Sequence, residues 1–413
     1  MDSKIISCDD FDYRPAMSEN INTPGGEFSI CVNNEDITTH PHKSRLIING
    51  QVTVTQLVKN KDGGSEKVPR TKLDKSIITM VNNGALTLFD RIDYYVGDCK
   101  IDSVRKPFFC STMKGLVSFE HDKKYNDGGW KIELPESTII NSTGYFSLNI
   151  QLSTIMGFFE DYPKFLYRIP QKLVFHRSVS TNDNNMFLDT NADDNISVTL
   201  KEIVWRIPQI KFSIEYETKV RKEILSGKSF EMLYRHWLYQ SIPIPQTSEF
   251  SWEIPTSYSR IKYVLLAFQN RTKENKLSEN NATFDLFNLE NVQILLNNHS
   301  YYPRERLNLK LSENKVGRLY YMYKIFKASY YARNENEVEP LVDYNTFVEK
   351  YPIIAIDCSL QESIIKDSLI NLKILFNWRD TIPDNSAIIH AVMIMGDTAV
   401  YTPLHNRVVH NTG

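Results

Sequence analysis

The sequence lacks a long hydrophobic run, and this absence argues against a transmembrane helix. Its longest apolar stretches, such as AIIHAVMIM at 387–395, fall far short of the roughly 20 residues that cross a bilayer. The first residues, MDSKIISCDDFDYRP, contain no basic segment followed by an apolar one, so they do not resemble a secretory signal peptide. We therefore expect a soluble protein made in the cytosol, with no membrane span.

Cysteine is also scarce, and its spacing excludes the common cysteine-based sites. The five cysteines are odd in number, scattered, and never in CxxC spacing, which fits free buried thiols better than disulfides or zinc ligands. They are Cys8, Cys31, Cys99, Cys110 and Cys358.

The sequence also lacks an excess of charge of either sign. Lys and Arg number 48 against 50 Asp and Glu, the net charge is −2, and no run of Lys or Arg forms a basic arm. Strong phosphate binding needs such a patch. We expect no strong direct nucleic-acid binding.

The sequence is rich in short strand patterns. Its 413 residues suggest two domains, and 41% hydrophobic residues with 12% aromatics supply a core. Alternating runs separated by turn-forming clusters favour sandwiches or jelly rolls over βαβ units. The predicted strands are 28–32, 45–58, 129–135, 145–152, 172–177, 196–207, 261–268, 352–358 and 368–378. A hairpin is predicted over 292–311, where VQILL and LNLKL flank NNHSYYP.

Two segments have a helical pattern instead. GRLYYMYKIFKASYY at 317–331 places apolar residues along one stripe, and FFCSTMKGLVSF at 108–119 is a shorter case. Such stripes usually pack in a core. The stripe consists of Leu319, Met322, Tyr323, Phe326 and Tyr330.

A half-length repeat suggests two copies of one unit. LFDRIDYYVGD at 88–98 resembles LFNLENVQILLNN at 286–298, and each is followed by one of the two helices. The Asn/Asp-rich stretch at 178–195 is the expected boundary. The predicted organisation is an N-terminal arm at 1–24, a first jelly roll at 25–178, a linker at 179–195, a second jelly roll at 196–408 and a tail at 409–413.

Two motifs resemble ligand loops but fail in their spacing. Gly227, Lys228 and Ser229 end like a phosphate-binding loop, yet Lys222 stands where the first glycine is required, so a turn in or after a short helix is the better interpretation. DTNADDNISVTL at 189–200 begins like a calcium loop. It carries Asp194 in place of the glycine and Leu200 in place of the final glutamate, so an EF-hand is not supported.

The histidines and the possible nucleophiles do not indicate a metal site or an active site either. His40 and His42 could bind a metal, but Pro41 between them and the lack of a nearby partner favour a polar turn. There is no GxSxG motif, and no cysteine has the flank of a nucleophile. We predict no catalytic residue, cofactor site or metal site, and no enzyme activity.

The C-terminal half carries a more specific signal. IKYVLLAFQ, then FD, the strand VQILL, a YYP turn and GRLYYMYKIFKASYY resemble the second jelly roll of the double-jelly-roll major capsid proteins of Polinton-like viruses and adintoviruses, including copies in invertebrate genomes. NNGALTLFDRIDYYVGD and ISVTLKEIVWRIPQIKF resemble the family's first-roll hairpin and inter-domain strand. The likeness extends from about residue 25 to 408.

This resemblance implies an all-β fold of two tandem jelly-roll β-sandwiches (a double jelly roll) with short helical insertions. It implies a structural major capsid protein that assembles as pseudo-hexagonal homotrimers into an icosahedral shell, with minor or penton capsid proteins as further partners. The implied location is the virion capsid, assembled in the cytoplasm or nucleus.

The sequence departs from the family over 220–245. The expected helix-then-strand order remains, but the residues differ from the family's tendency, which puts local surface chemistry in doubt. They are Met232, Leu233, His236 and Trp237.

Two alternatives stay open. One is a domesticated host descendant that no longer builds shells. The other is a carbohydrate-binding or hydrolytic tandem jelly-roll protein. For it, Asp90, Asp93 and Asp98 are the only carboxylate cluster on offer, and a solvated hairpin face is the better interpretation of these residues.

Overall fold

The fold is described from a computed structural model that covers residues 5–33, 36–59, 65–69, 78–120, 123–132, 139–189, 195–255, 261–297, 300–359 and 371–410. The strands of the first unit are β1 (Ile5–Tyr13), β2 (Glu27–Val32), β3 (Thr38–Thr39), β4 (Arg45–Lys59), β5 (Ser65–Pro69), β6 (Ile78–Met80), β7 (Phe89–Val96), β8 (Cys99–Arg105), β9 (Tyr145–Gln151), β10 (Leu166–Tyr167), β11 (Gln171–Arg177), β12 (Phe187–Asp189) and β13 (Asn195–Phe212). Its helices are α1 (Pro107–Ser118) and α2 (Gly157–Asp161).

The second unit has fewer strands and longer helical insertions. Its strands are β14 (Phe230–Pro243), β15 (Thr247–Pro255), β16 (Ile261–Asn270), β17 (Leu289–Leu296), β18 (Ser300–Tyr302), β19 (Ile354–Asp357), β20 (Asn371–Ile382), β21 (Ala387–Thr402) and β22 (Arg407–His410). The helices are α3 (Ile214–Leu225), which joins the units, α4 (Gly317–Tyr331) and α5 (Tyr344–Lys350).

Each unit is a sandwich of two antiparallel sheets with the same strand order. In the first, β1-β13-β4-β9 face β2-β11-β7-β8; in the second, β14-β21-β16-β19 face β15-β20-β17-β18. Because β7 and β17 occupy equivalent places and lead through β8 and β18 to α1 and α4, the predicted repeat has a structural counterpart. The all-β class and the two jelly rolls are confirmed.

Alternating side chains explain why these segments form half-buried strands. Along β9, Phe146, Leu148 and Ile150 point into the core while Tyr145 and Ser147 point outward. β20 follows the same rule, with every second residue from Leu372 to Trp378 buried. The opposing sheets thereby enclose one apolar layer in each unit.

Both predicted helices are present. α4 begins and ends as predicted, and its stripe faces inward, because Leu319, Tyr323, Phe326 and Tyr330 are buried and Met322 is partly buried. The weaker pattern at 108–119 is α1, which is nearly all buried. A helix that is apolar on most sides needs such burial.

The predicted boundary at 179–195 is wrong in one respect. β12 pairs with β6, and β13 pairs with β1 and β4, so residues 196–212 lie in a sheet of the first unit and do not open the second. The predicted arm at 1–24 likewise contains β1. The strands of the two units separate across α3, because pairing between strands decides sheet membership and a polar stretch does not.

Two further strand predictions need correction. The second strand of the predicted hairpin lies earlier in the chain than expected. β17 pairs with β18, whereas residues 307–311 form no strand with β17. Leu307 and Leu309 are buried, but Leu311 is exposed, so this alternation reflects packing against the sheet without strand pairing. In the predicted strand 129–135, residues 129–132 are not a strand, and 133–135 lie outside the described residues.

Candidate functional site: the interface between the jelly rolls

The two jelly rolls meet through helices and a strand edge. α1 of the first roll packs on α4 of the second, while α2 and β8 of the first roll pack on β14. The contact includes charged side chains that are buried, which is unusual unless they are paired.

Lys114 lies at the centre of this interface. Its side chain is fully buried, its Nζ donates to a Glu160 carboxylate oxygen, and the hydroxyls of Tyr330 and Tyr331 donate to the two oxygens of Glu160 at 2.7 and 2.8 Å. Burial acts to raise the pKa of Glu160, but Lys114 and Arg235 outweigh it and hold that pKa below its usual value. Glu160 is therefore a carboxylate. Burial lowers the pKa of Lys114, and the charge of Glu160 acts against that lowering.

Aromatic rings from both rolls surround the same ammonium. Lys114 Nζ lies 5.2 Å from the ring centroid of Phe119 in the first roll. The centroids of Trp237 and Tyr330 in the second roll are 4.9 and 5.1 Å away. Ring faces attract a desolvated cation by up to about 2 kcal/mol each. The lysine thus joins the rolls through its ring contacts and its hydrogen bond to the Tyr331 hydroxyl, while its ion-pair partner Glu160 belongs to its own roll.

Beside the Lys114–Glu160 pair, which lies within the first roll, a second ion pair crosses the interface. Arg235 on β14 donates through Nε to Asp161 Oδ2 at 2.7 Å, and the same oxygen accepts the Arg235 backbone N–H at 2.8 Å. The guanidinium carbon lies 3.6 Å from the Tyr330 ring centroid. At this point β14 runs over Gly157, where an added Cβ would lie 1.8 Å from the Arg235 carbonyl oxygen. Only glycine allows this approach.

Asp102 anchors a third contact. Its Oδ2 accepts the Phe158 backbone N–H at 3.0 Å, and its Oδ1 lies 2.8 Å from His236 Nδ1 on β14. The Asp102 side chain has no exposed surface. Since each oxygen has a donor, the carboxylate is satisfied within the interface.

Side chains of the second roll also donate to backbone carbonyls of the first. These bonds fix one roll against main-chain atoms, which cannot rotate away as a side chain can. They join Tyr323 to Leu116 (2.9 Å), Lys327 to Phe119 (2.9 Å), Tyr351 to Ile132 (3.1 Å), Tyr234 to Ile101 (2.9 Å) and Tyr401 to Tyr167 (2.7 Å). The arrangement holds two sandwiches in one fixed orientation.

The phosphate-loop motif is a helix end, as predicted. Gly227, at φ +79°, donates its N–H to the Ile224 carbonyl just after α3, and Lys228 pairs with Glu223 at 3.0 Å. Residues 190–194 of the calcium-like sequence lie outside the described residues.

The two histidines of the polar turn bond to backbone oxygens. His40 Nε2 lies 3.1 Å from the Pro163 carbonyl oxygen, and His42 Nδ1 lies 2.7 Å from that of Phe159. Burial lowers the pKa of His40 to about 4. In the part of the chain that the structure describes, no group of three or more His, Cys, Asp or Glu is placed to hold a metal ion.

The acidic hairpin is only partly solvated. Asp98 is exposed and Asp90 pairs with Lys106 at 2.7 Å, but Asp93 is buried and pairs with Arg91 and His176 at 3.0 and 3.1 Å. The solvated-face interpretation is therefore wrong for Asp93. The three carboxylates do not face a common site.

Two other expectations change. Met232, His236 and Trp237 do not form the local surface, because all three are buried while Leu233 is exposed, and His236 and Trp237 contact the first roll. The five cysteines are free, yet only Cys110 and Cys358 are buried and Cys8 is exposed.

The interface residues were missed from the sequence. A signal existed, since Lys114 stands inside an apolar helix pattern and Glu160 follows the pair Phe158 and Phe159. A charge in such a place must find a partner. The partner's position, however, depends on how the two rolls pack.

Comparisons with known proteins agree with this architecture. The family described as "Double jelly roll-like domain" matches residues 78–400. A Sputnik virophage structure is similar at TM-score 0.58 and 9% identity, covering 99% of this chain and 89% of its own. The PBCV-1 virus capsid structure gives 0.57 and 10% (98% and 97% covered), and the mavirus major capsid protein 0.55 and 10% (97% and 90% covered). A search of curated proteins returns no match.

Proposed function

Because the chain belongs to the double jelly roll-like domain family, we propose that it is a viral or virus-derived major capsid protein that acts by self-assembly. The observation that carries this proposal is the fixed pair of equivalent sandwiches, joined through the ring contacts of Lys114 and the ion pairs of Arg235 and Asp102. The similar structures over nearly the whole chain include one named as a major capsid protein, which supports the same role. The role is structural and not catalytic.

The proposed assembly is a homotrimer with a six-fold outline. Each chain supplies two similar jelly rolls, so a trimer contains six of them around its axis. Trimers of this outline then pack through repeated interfaces into a closed icosahedral lattice. This mechanism requires that the angle between the two jelly rolls of a chain stays constant. Buried ion pairs with fixed geometry supply that constancy, since breaking one by removing a partner costs about 3–5 kcal/mol.

The proposed source is a Polinton-like virus or adintovirus, or an endogenised copy. The support is the ordered series of AFQ, FD, YYP and the aromatic helix. In the fold, Phe268 of AFQ forms a β-bridge with Asp285 of FD, and Tyr302 of YYP ends β18.

A closed shell would need further protein partners besides this chain. A lattice of trimers leaves vertices that penton or minor capsid proteins would fill, and the virion capsid would be the location. Assembly would take place in the cytoplasm or nucleus. None of the described helices is long and apolar enough to span a membrane.

The test is the native mass of the purified chain by light scattering at moderate salt, followed by negative-stain imaging of the same fractions. We expect a mass near three chains of 48.0 kDa and six-cornered particles or shells. A stable monomer without assemblies at any concentration up to aggregation would contradict the proposal. A stable trimer that never forms shells would instead indicate a domesticated descendant.

A further inference from the structure

The C-terminal strand crosses from the second jelly roll to the first. β22 pairs with β21, where His410 lies opposite Ala399 and Arg407 opposite Thr402. At its end, His410 Nε2 lies 2.7 Å from the Lys100 carbonyl oxygen on β8 of the first roll. The strand is therefore held by its own roll along its length and by the other roll at its last described residue.

Both ring nitrogens of His410 face oxygens. Nε2 donates to the Lys100 carbonyl, because a carbonyl can only accept, and Nδ1 lies 3.6 Å from Asp397 Oδ1. A neutral imidazole has one donor, so it satisfies one of these acceptors, whereas the protonated ring serves both. The neighbouring Asp397 carboxylate raises the pKa of His410 above its ordinary value.

Asp397 itself is held firmly in place. Its carboxylate accepts the Thr398 backbone N–H at 2.7 Å and the Tyr234 hydroxyl at 3.2 Å, and its side chain is only 16% exposed. A carboxylate in this position favours a cation next to it. His410 is 34% exposed, so solvent weakens the coupling without removing it.

Several other titratable or charged groups face this site. Cys99 of β8 lies beside His410, and its pKa is raised mainly by burial. Lys262 of β16 lies next to Gly396. The remaining groups are the Tyr234 hydroxyl and the pair formed by His236 and Asp102 on β14 and β8.

We propose that the end of β22 is a pH-dependent clasp: protonated His410 is held both by the Lys100 carbonyl of the first roll and by the Asp397 carboxylate of β21, whereas the neutral ring keeps one of these two contacts and the strand end loosens. The clasp lies within one chain and does not depend on capsid assembly. A histidine with a raised pKa contributes fully below its free value of 6.5, and the contribution is lost as the pH rises through the raised value. The clasp is thus closed in mild acid and loosens at alkaline pH.

Hydrogen exchange of the full-length chain, read by mass spectrometry between pH 6 and 9, tests the clasp. We expect protection over 407–410, corrected for the intrinsic exchange rate at each pH, to fall about threefold, because the contact between two partly exposed charges is weak. Core strand β16 is the internal reference. Protection that does not change with pH would overturn the proposal.

Three variants make the test specific. His410→Phe should give low protection that no longer depends on pH, and Asp397→Asn should move the midpoint to lower pH because the negative charge is gone. His405→Phe is the matched control, an exposed histidine five residues away, and should keep the wild-type profile. An unchanged pH profile in His410→Phe would refute the role of this residue even if the wild type responds.

Discussion

Replacing Gly157 by alanine tests whether the close approach of the two jelly rolls is required. The new Cβ would lie 1.8 Å from the Arg235 carbonyl oxygen and 2.8 Å from its carbonyl carbon. Both obstacles are backbone atoms of β14, so neither can turn aside. Overpacking costs about 1–3 kcal/mol, and a rigid backbone neighbour puts this case near about 3 kcal/mol.

The effect should be visible in thermal unfolding. With an unfolding entropy of about 2.1 cal/mol/K per residue, about 3 kcal/mol lowers the Tm of a chain this long by roughly 3–4 °C. Gly317→Ala is the matched control, because Gly317 also begins a helix but an added Cβ there meets nothing within 4 Å. We expect that variant to match or slightly exceed the wild type.

Hydrogen exchange of the two alanine variants shows whether the added methyl group also displaces β14 from the first jelly roll. Gly157→Ala should increase hydrogen exchange at Arg235 and Trp237 on β14, because the strand is displaced from α2. If the two alanine variants had the same Tm within about 1 °C and the same exchange at β14, the steric argument would be refuted.

Other predictions concern buried charge. Lys114→Met should lower the free energy of unfolding by about 3–5 kcal/mol, measured by chemical unfolding. Adding Glu160→Leu should recover part of that stability, because a buried carboxylate without its partner costs more than the removal of both charges. Equal stability of the single and double variants would contradict this. Burial lowers the pKa of His390 to about 3 and that of His40 to about 4, so stability should fall as the pH drops below 6.5. His390→Gln should flatten that decline, measured by Tm between pH 7 and 5. Leu309→Ala should cost about 2–5 kcal/mol although Leu309 lies outside any strand.

The sequence by itself determined the local elements and their repetition. Alternation along β9 and β20 and the stripe from Leu319 to Tyr330 are short-range patterns, since side chains two or three to four residues apart share a face. The repeat at Phe89 and Phe287 marked equivalent strands for the same reason. These features depend on neighbours along the chain, which a sequence displays directly.

Only the tertiary structure decided where the units divide and what joins them. β13 belongs to the first sandwich because it pairs with β1 and β4, and no local pattern encodes that choice of partner. Lys114 and Glu160 are 46 residues apart, and Tyr331 lies 217 residues from Lys114. Burying such charges is favourable only when all partners meet in one dry space, which is a property of the packed rolls and of no single segment.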